Sequence, residues 1–120
     1  MISPAQFEKF VLDDLVTQTN HMDRSIYHLD GVGAKKHLDA LLSLPELNAI
    51  QWVYGVGQPG PHAWVDLYQQ VLDAGKQIMI IENGLHNGYG ELRPRLGKSP
   101  YVSVWATPET AEEARRLASL

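Results

Sequence analysis

Cysteine is absent from the chain, which removes disulfides, thiolate nucleophiles and thiolate metal ligands together. A basic surface is missing too. The 10 Lys and Arg residues are outnumbered by 14 Asp and Glu, and the net charge is -4. Only Lys35-Lys36 and Arg115-Arg116 stand side by side, both on expected helix surfaces. Nucleic-acid binders gather their cations on one face, so no nucleic-acid partner is expected. No apolar run approaches the ~18 residues of a membrane span, and the first residues lack the basic-then-apolar pattern of a secretory signal. The expectation is a soluble, cytoplasmic protein with no membrane partner. Low-complexity segments, linkers and sharp internal repeats are lacking as well. At 120 residues the chain reads as one domain, 1–120, about half the ~250 residues of a closed eight-stranded β/α barrel.

What is there is a regular alternation of elements. Phe7, Val11 and Leu15 recur at four-residue spacing, with Phe10 widening the stripe, and predict a helix from Pro4 to about Thr19. Ser25 to Asp30 reads as a short strand, turned by Gly31 and Gly33 into a helix over Ala34 to Leu44 that Pro45 ends. Asn48 to Tyr54 is the second strand, closed by Gly55, Gly57, Pro59 and Gly60. Pro61 then opens a helix with Trp64, Leu67, Tyr68, Val71 and Leu72 on one stripe and Gly75 at its C-cap. Gln77 to Ile81 is a near-continuous apolar run, the pattern of a strand covered on both faces. Asn83 to Gly97 reads as loop with at most a short helix, Tyr101 to Ala106 as the fourth strand, and Thr107-Pro108 as the cap of a closing helix. Strict alternation predicts a parallel sheet with right-handed crossovers, its strands in the order 1-2-3-4.

The segments YHLDG, HLDALLSLPELNAIQWVYGVGQPG and WVDLYQQVLDAGK resemble the uroporphyrinogen decarboxylase-like superfamily, in the carboxyl-terminal half of its barrel. The resemblance runs over nearly the whole chain. It implies an α/β fold that is half of a TIM-type (β/α) barrel, four parallel strands with outer helices. It also implies a small-molecule-binding or catalytic module, since related members decarboxylate porphyrinogens or move methyl groups between corrinoids, thiols and methylamines. The essential arginines and aspartate of the decarboxylases belong to the amino-terminal half, which has no counterpart in these residues. Where the methyltransferases use a His-x-Cys pair for zinc, this chain has His28-Leu29-Asp30. No cofactor is expected, zinc being the one candidate.

Ligands of parallel α/β folds bind at the carboxyl ends of the strands, and polar residues collect there. His28 and Asp30, two apart on a strand, share a face, as candidate catalytic residues together with Glu82 at the end of the third strand. Asp30 or Glu82 would orient His28 for proton transfer, or His28 and Asp30 would share a metal. The plainer alternative is a polar layer, with His28 bonded to backbone and Asp30 capping the next helix. Gln51, Asn83, His86 and Trp105 are candidate ligand contacts, while Trp52 reads as core. His21, His37 and His62 lie on or beside helices and read as surface. A half-barrel also has two open sheet edges and an uncovered inner face, so a homodimer is expected. The rival to a ligand-binding or catalytic module is a non-catalytic interaction protein, or a truncated remnant, that assembles through those edges.

Overall fold

The computed structural model describes residues 2–82, 92, 94–97 and 101–119, with Glu82 and Leu117 described by backbone alone. Four strands, β1 (Ile26–Asp30), β2 (Ala49–Val53), β3 (Gln77–Glu82) and β4 (Val102–Ala106), form one all-parallel sheet in the order β1-β2-β3-β4. A sequential parallel sheet flanked by helices is the architecture of half a β/α barrel, as the alternation of elements predicts.

The helices start and stop where local chemistry directs them. Ser3 opens α1 (Pro4–Phe7) with a capping box: its hydroxyl accepts the Gln6 N–H at 3.2 Å, and the Gln6 side chain accepts the Ser3 N–H at 2.9 Å. A π-helical turn, Glu8–Leu12, then joins α1 to α2 (Asp13–Asn20). A 3-10 turn, Lys35–His37, leads into α3 (Leu38–Leu42), and another, Pro61–Trp64, into α4 (Val65–Asp73). Gly75, at φ +73°, ends α4 as expected. Its N–H reaches the Leu72 carbonyl at 2.9 Å and the Lys76 N–H reaches Val71 at 3.1 Å, the paired bonds of a Schellman turn. The closing helix α5 (Ala111–Ala118) is capped by Thr110, whose hydroxyl accepts the Glu113 N–H at 3.1 Å, rather than by Thr107.

Alternation along each strand sends Leu29, Ile50, Trp52, Ile78 and Ile80 to one face, where they meet Leu38 and Leu41 of α3, Leu67, Tyr68 and Val71 of α4, and Phe7. Leu92 and Leu96 join the same core. The opposite face is different. Ile26 and Trp105 there are 54% and 57% exposed, His28, Asp30, Gln77 and Ser103 are exposed, and Met79 and Ile81 are half-buried. The expectation that β3 is covered on both faces therefore fails for the described residues, because the helices that reach the core, α1 to α4, pack against the other side.

The stripe of the first segment holds at Phe7, Val11 and Leu15, all of which pack on the core. Phe10, expected to widen it, does not. It lies in the π turn and is 65% exposed, with the Lys9 ammonium 5.1 Å from its ring centroid, and Leu12 packs on the core instead. Phe7, one turn earlier, is buried and stacks on His37 at 4.4 Å between centroids and an 18° interplanar angle. His37 is consequently 6% exposed and not a surface residue, and its Nδ1 is buried without a hydrogen-bond partner. His21 and His62 are exposed, as expected.

Burial, helped by the neighbouring Lys36 charge, holds the His37 imidazole below the ordinary histidine range. The unfolded chain carries that histidine near pKa ~6.5, so unfolding takes up a proton when the pH lies between the two values. Stability from this group is complete above about pH 6.5 and declines as the pH falls, until the folded imidazole is itself protonated. His37→Leu keeps the packing volume and removes the titration. Urea denaturation at a series of pH values should show a midpoint that falls below about pH 6.5 in the native chain and a flatter profile in the variant. Identical profiles would mean that His37 does not couple protons to folding.

Candidate functional site

Strand register assembles the polar residues of the open face. His28 pairs with Gln51, Gln51 with Met79 and Met79 with Ser103, so the four form one transverse row across all four strands. Nearer the carboxyl ends, Asp30 stands beside Val53 on the next pleat, and Ile81 beside Trp105. His28 and Asp30 thus share an exposed face at the end of β1, and Trp105 stands on that face rather than in the core. Among the described residues the Asp30 carboxylate has no hydrogen-bond partner. The side chain of Glu82 and all of Asn83 and His86 lie outside the described residues.

The partner that orients His28 is Gln51. His28 Nδ1 lies 2.5 Å from Gln51 Oε1, and Gln51 Nε2 donates to the Met79 sulfur at 3.2 Å. A thioether only accepts hydrogen bonds, so the amide must turn its NH2 group toward Met79 and its oxygen toward the imidazole. The oxygen in turn requires a proton on Nδ1. The neutral ring then presents Nε2, with its lone pair, away from Gln51, as a base or a ligand does. Sequence reading placed Gln51 on this face as a ligand contact and gave the orienting role to Asp30 or Glu82. Met79 went unnoticed, because its row position becomes visible only when β2 and β3 are set in register.

A pocket of about 370 Å3 opens toward the carboxyl ends of β2 and β3, bounded by Val53, Tyr54, Gly55, Gly57, Gln58 and Ile81. Its volume falls in the range of small-molecule sites, roughly 300–1,000 Å3. Val53 and Ile81 stand one pleat beyond Gln51 and Met79, so the pocket borders the polar row without being lined by it. The glycine-rich wall turns at Gly55 and Gly57, with φ of +89° and +78°, a region that suits glycine. Trp64 holds this wall in place. Its indole N–H donates to the Pro59 carbonyl at 3.0 Å, its ring stacks on Tyr54 at 6.4 Å, and its edge meets Trp52 at 5.2 Å. The helical stripe marked Trp64 as a packing residue; three aromatic residues flanking one glycine run was the signal for its second role.

No family model, curated protein or solved structure matches the chain. What the arrangement can do rests on its own chemistry. Among the described residues no three His, Asp or Glu side chains are placed to hold a metal ion, and no helix is long and apolar enough to cross a membrane. An imidazole held by an amide, a carboxylate one pleat away and an adjoining pocket form a set suited to proton transfer or to hydrogen bonding of a small ligand.

Gln51→Leu tests the first link of this set. Long-range nitrogen correlation spectra of the histidines should show neutral His28 mainly with its proton on Nδ1 in the native chain. The variant should move toward the Nε2-protonated form that free imidazoles prefer. An unchanged tautomer ratio would show that Gln51 does not set it.

Proposed function

We propose that the chain is a small-molecule-binding or catalytic module of the uroporphyrinogen decarboxylase-like kind, acting at the carboxyl ends of its strands. The observation that carries this reading is His28, held by Gln51 with Nε2 unpartnered among the described residues, on an uncovered face that runs into a pocket. In the catalytic form His28 is the acid or base, Gln51 sets its tautomer, and Asp30 supplies negative charge beside it. The apolar surface of Val53, Ile81 and Trp105 would receive the body of the ligand. Among the described residues zinc would have His28 and Asp30 alone as protein donors, short of a tetrahedral site.

The working form is a homodimer in the cytoplasm. β1 and β4 each end the described sheet with an unpaired edge, and pairing the first strand of one copy with the fourth of another completes eight strands. The same closure buries Ile26 and Trp105, both more than half exposed in the single chain.

A porphyrin and a corrinoid serve as probes for the two chemistries of the resembled family. One of them should shift the amide signals of Asp30 and of Val53 to Gln58. His28→Ala and Asp30→Ala should each weaken binding by about tenfold or more while leaving the far-ultraviolet dichroism unchanged. Sedimentation at micromolar concentration should give twice the 13.4 kDa chain mass. A dimer that binds neither probe favours the interaction-protein reading. A monomer removes barrel closure by a second copy.

A further inference from the structure

The end of the sheet opposite the polar row holds a second cavity, of about 450 Å3. The residues around it are those that lead into the strands. Arg24 lies just before β1, Asn48 immediately before β2, Lys76 immediately before β3 and Tyr101 immediately before β4. Parallel register brings these four entry points together, although 77 positions separate Arg24 from Tyr101 in the chain.

Lys76 is the unusual member. It is 6% exposed, and its ammonium donates to the carbonyls of Leu44 and Leu47 at 2.6 and 2.7 Å. Those bonds tie β3 to the turn after α3, and they account for two of the three donors. They do not supply a counter-charge. Glu46 attracts the ammonium, yet among the described residues Lys76 makes no ion pair. A buried cation without an anion keeps most of its desolvation cost. Burial accordingly pulls the Lys76 ammonium below the usual lysine range.

Arg24, on the same cavity, is exposed, and among the described residues its side chain makes one hydrogen bond, a long one of 3.4 Å to the carbonyl of its neighbour Asp23. Its guanidinium therefore keeps the fork that matches an oxyanion. Asn48 adds further donors. Its side-chain oxygen accepts the Ser25 N–H at 2.8 Å, which leaves the amide NH2 without a partner among the described residues.

We propose that this cavity is a binding site for a small oxyanion, a phosphate or a carboxylate, held between Arg24 and Lys76 with Asn48 as a third donor. It lies at the opposite end of the strands from His28 and is independent of the function proposed for that residue. The anion completes the charge balance of Lys76 and ties β1 to β3, so its occupancy stabilises the sheet.

The probes are inorganic phosphate and acetate, titrated into nitrogen-15-labelled protein at constant ionic strength with chloride as the reference anion. Phosphate or acetate should cause saturable shifts at Arg24, Ser25, Lys76 and Gln77 and raise the melting temperature. The tighter-binding probe identifies the anion class. Lys76→Met also removes the carbonyl bonds and endangers folding, so the deciding variant is Arg24→Gln at an exposed side chain. It should weaken the preferred anion by about tenfold with the fold intact. The proposal is overturned by absence of saturation below about 10 mM, by shifts equal to those of chloride, by an unchanged affinity in Arg24→Gln, or by shifts centred on Gly55 to Gln58 instead.

Discussion

Parallel neighbours cannot be joined by a tight hairpin; each pair needs a crossover, and crossovers of one hand pass on one side of the sheet. In this chain that constraint operates between β1 and β2 and between β2 and β3, through α3 and α4. Their apolar faces all land on Leu29, Ile50, Trp52, Ile78 and Ile80. The other face is left to residues of opposite parity, which is why His28, Gln51, Met79 and Ser103 can be polar or soft without disturbing the core. The row on which the functional reading rests is thus a by-product of connection geometry. So is the meeting of Arg24, Asn48, Lys76 and Tyr101 at the opposite end.

The core contains polar atoms that gain nothing from this arrangement. Trp52 Nε1, the Tyr68 hydroxyl and His37 Nδ1 are buried and have no hydrogen-bond partner among the described residues. Each unmade hydrogen bond of this kind costs on the order of 1–3 kcal/mol. For the two aromatics the burial of a large apolar surface offsets that cost. Tyr68 responds by holding its proton, its phenol pushed well above the usual tyrosine range by burial and by Tyr54. His37 has a smaller ring, and stacking on Phe7 is its main return. Lys76 differs from all three, because it is hydrogen-bonded but not neutralised.

The order of elements was legible because it rests on short-range signals: period-two apolar runs, a 3.6-residue stripe in α4, and Gly75 at a C-terminus. Parity was legible for the same reason, and it put His28, Asp30 and Gln51 on one face. What parity does not contain is rotamer and neighbour. That His28 meets Gln51 instead of Asp30 depends on register between strands 23 residues apart. The burial of His37 depends on where an amino-terminal helix comes to rest, and the exposure of Phe10 on a π turn that a fixed 3.6-residue period does not anticipate, although Phe7, Val11 and Leu15 face the core as that period requires. The cap of α5 moved from Thr107 to Thr110 because both threonines precede an acidic run, and only Thr110 has Glu113 three residues on. For Asn83 and His86 the question lies outside the described residues.

Trp64 has a consequence for how the glycine-rich wall at the exit of β2 can move. The indole is bonded forward of the glycine wall at Pro59, stacked on Tyr54 at the exit of β2, and set edge-on against Trp52 inside the core. Wall, strand end and core therefore share one aromatic hinge-pin. Swinging the wall aside would break the Pro59 bond, unstack Tyr54 and uncover the edge of Trp52 in a single motion. Access to the pocket is mechanically geared to the packing beneath it, so a molecule that enters by displacing the wall would also loosen the contact between β2 and the 3-10 turn that leads into α4.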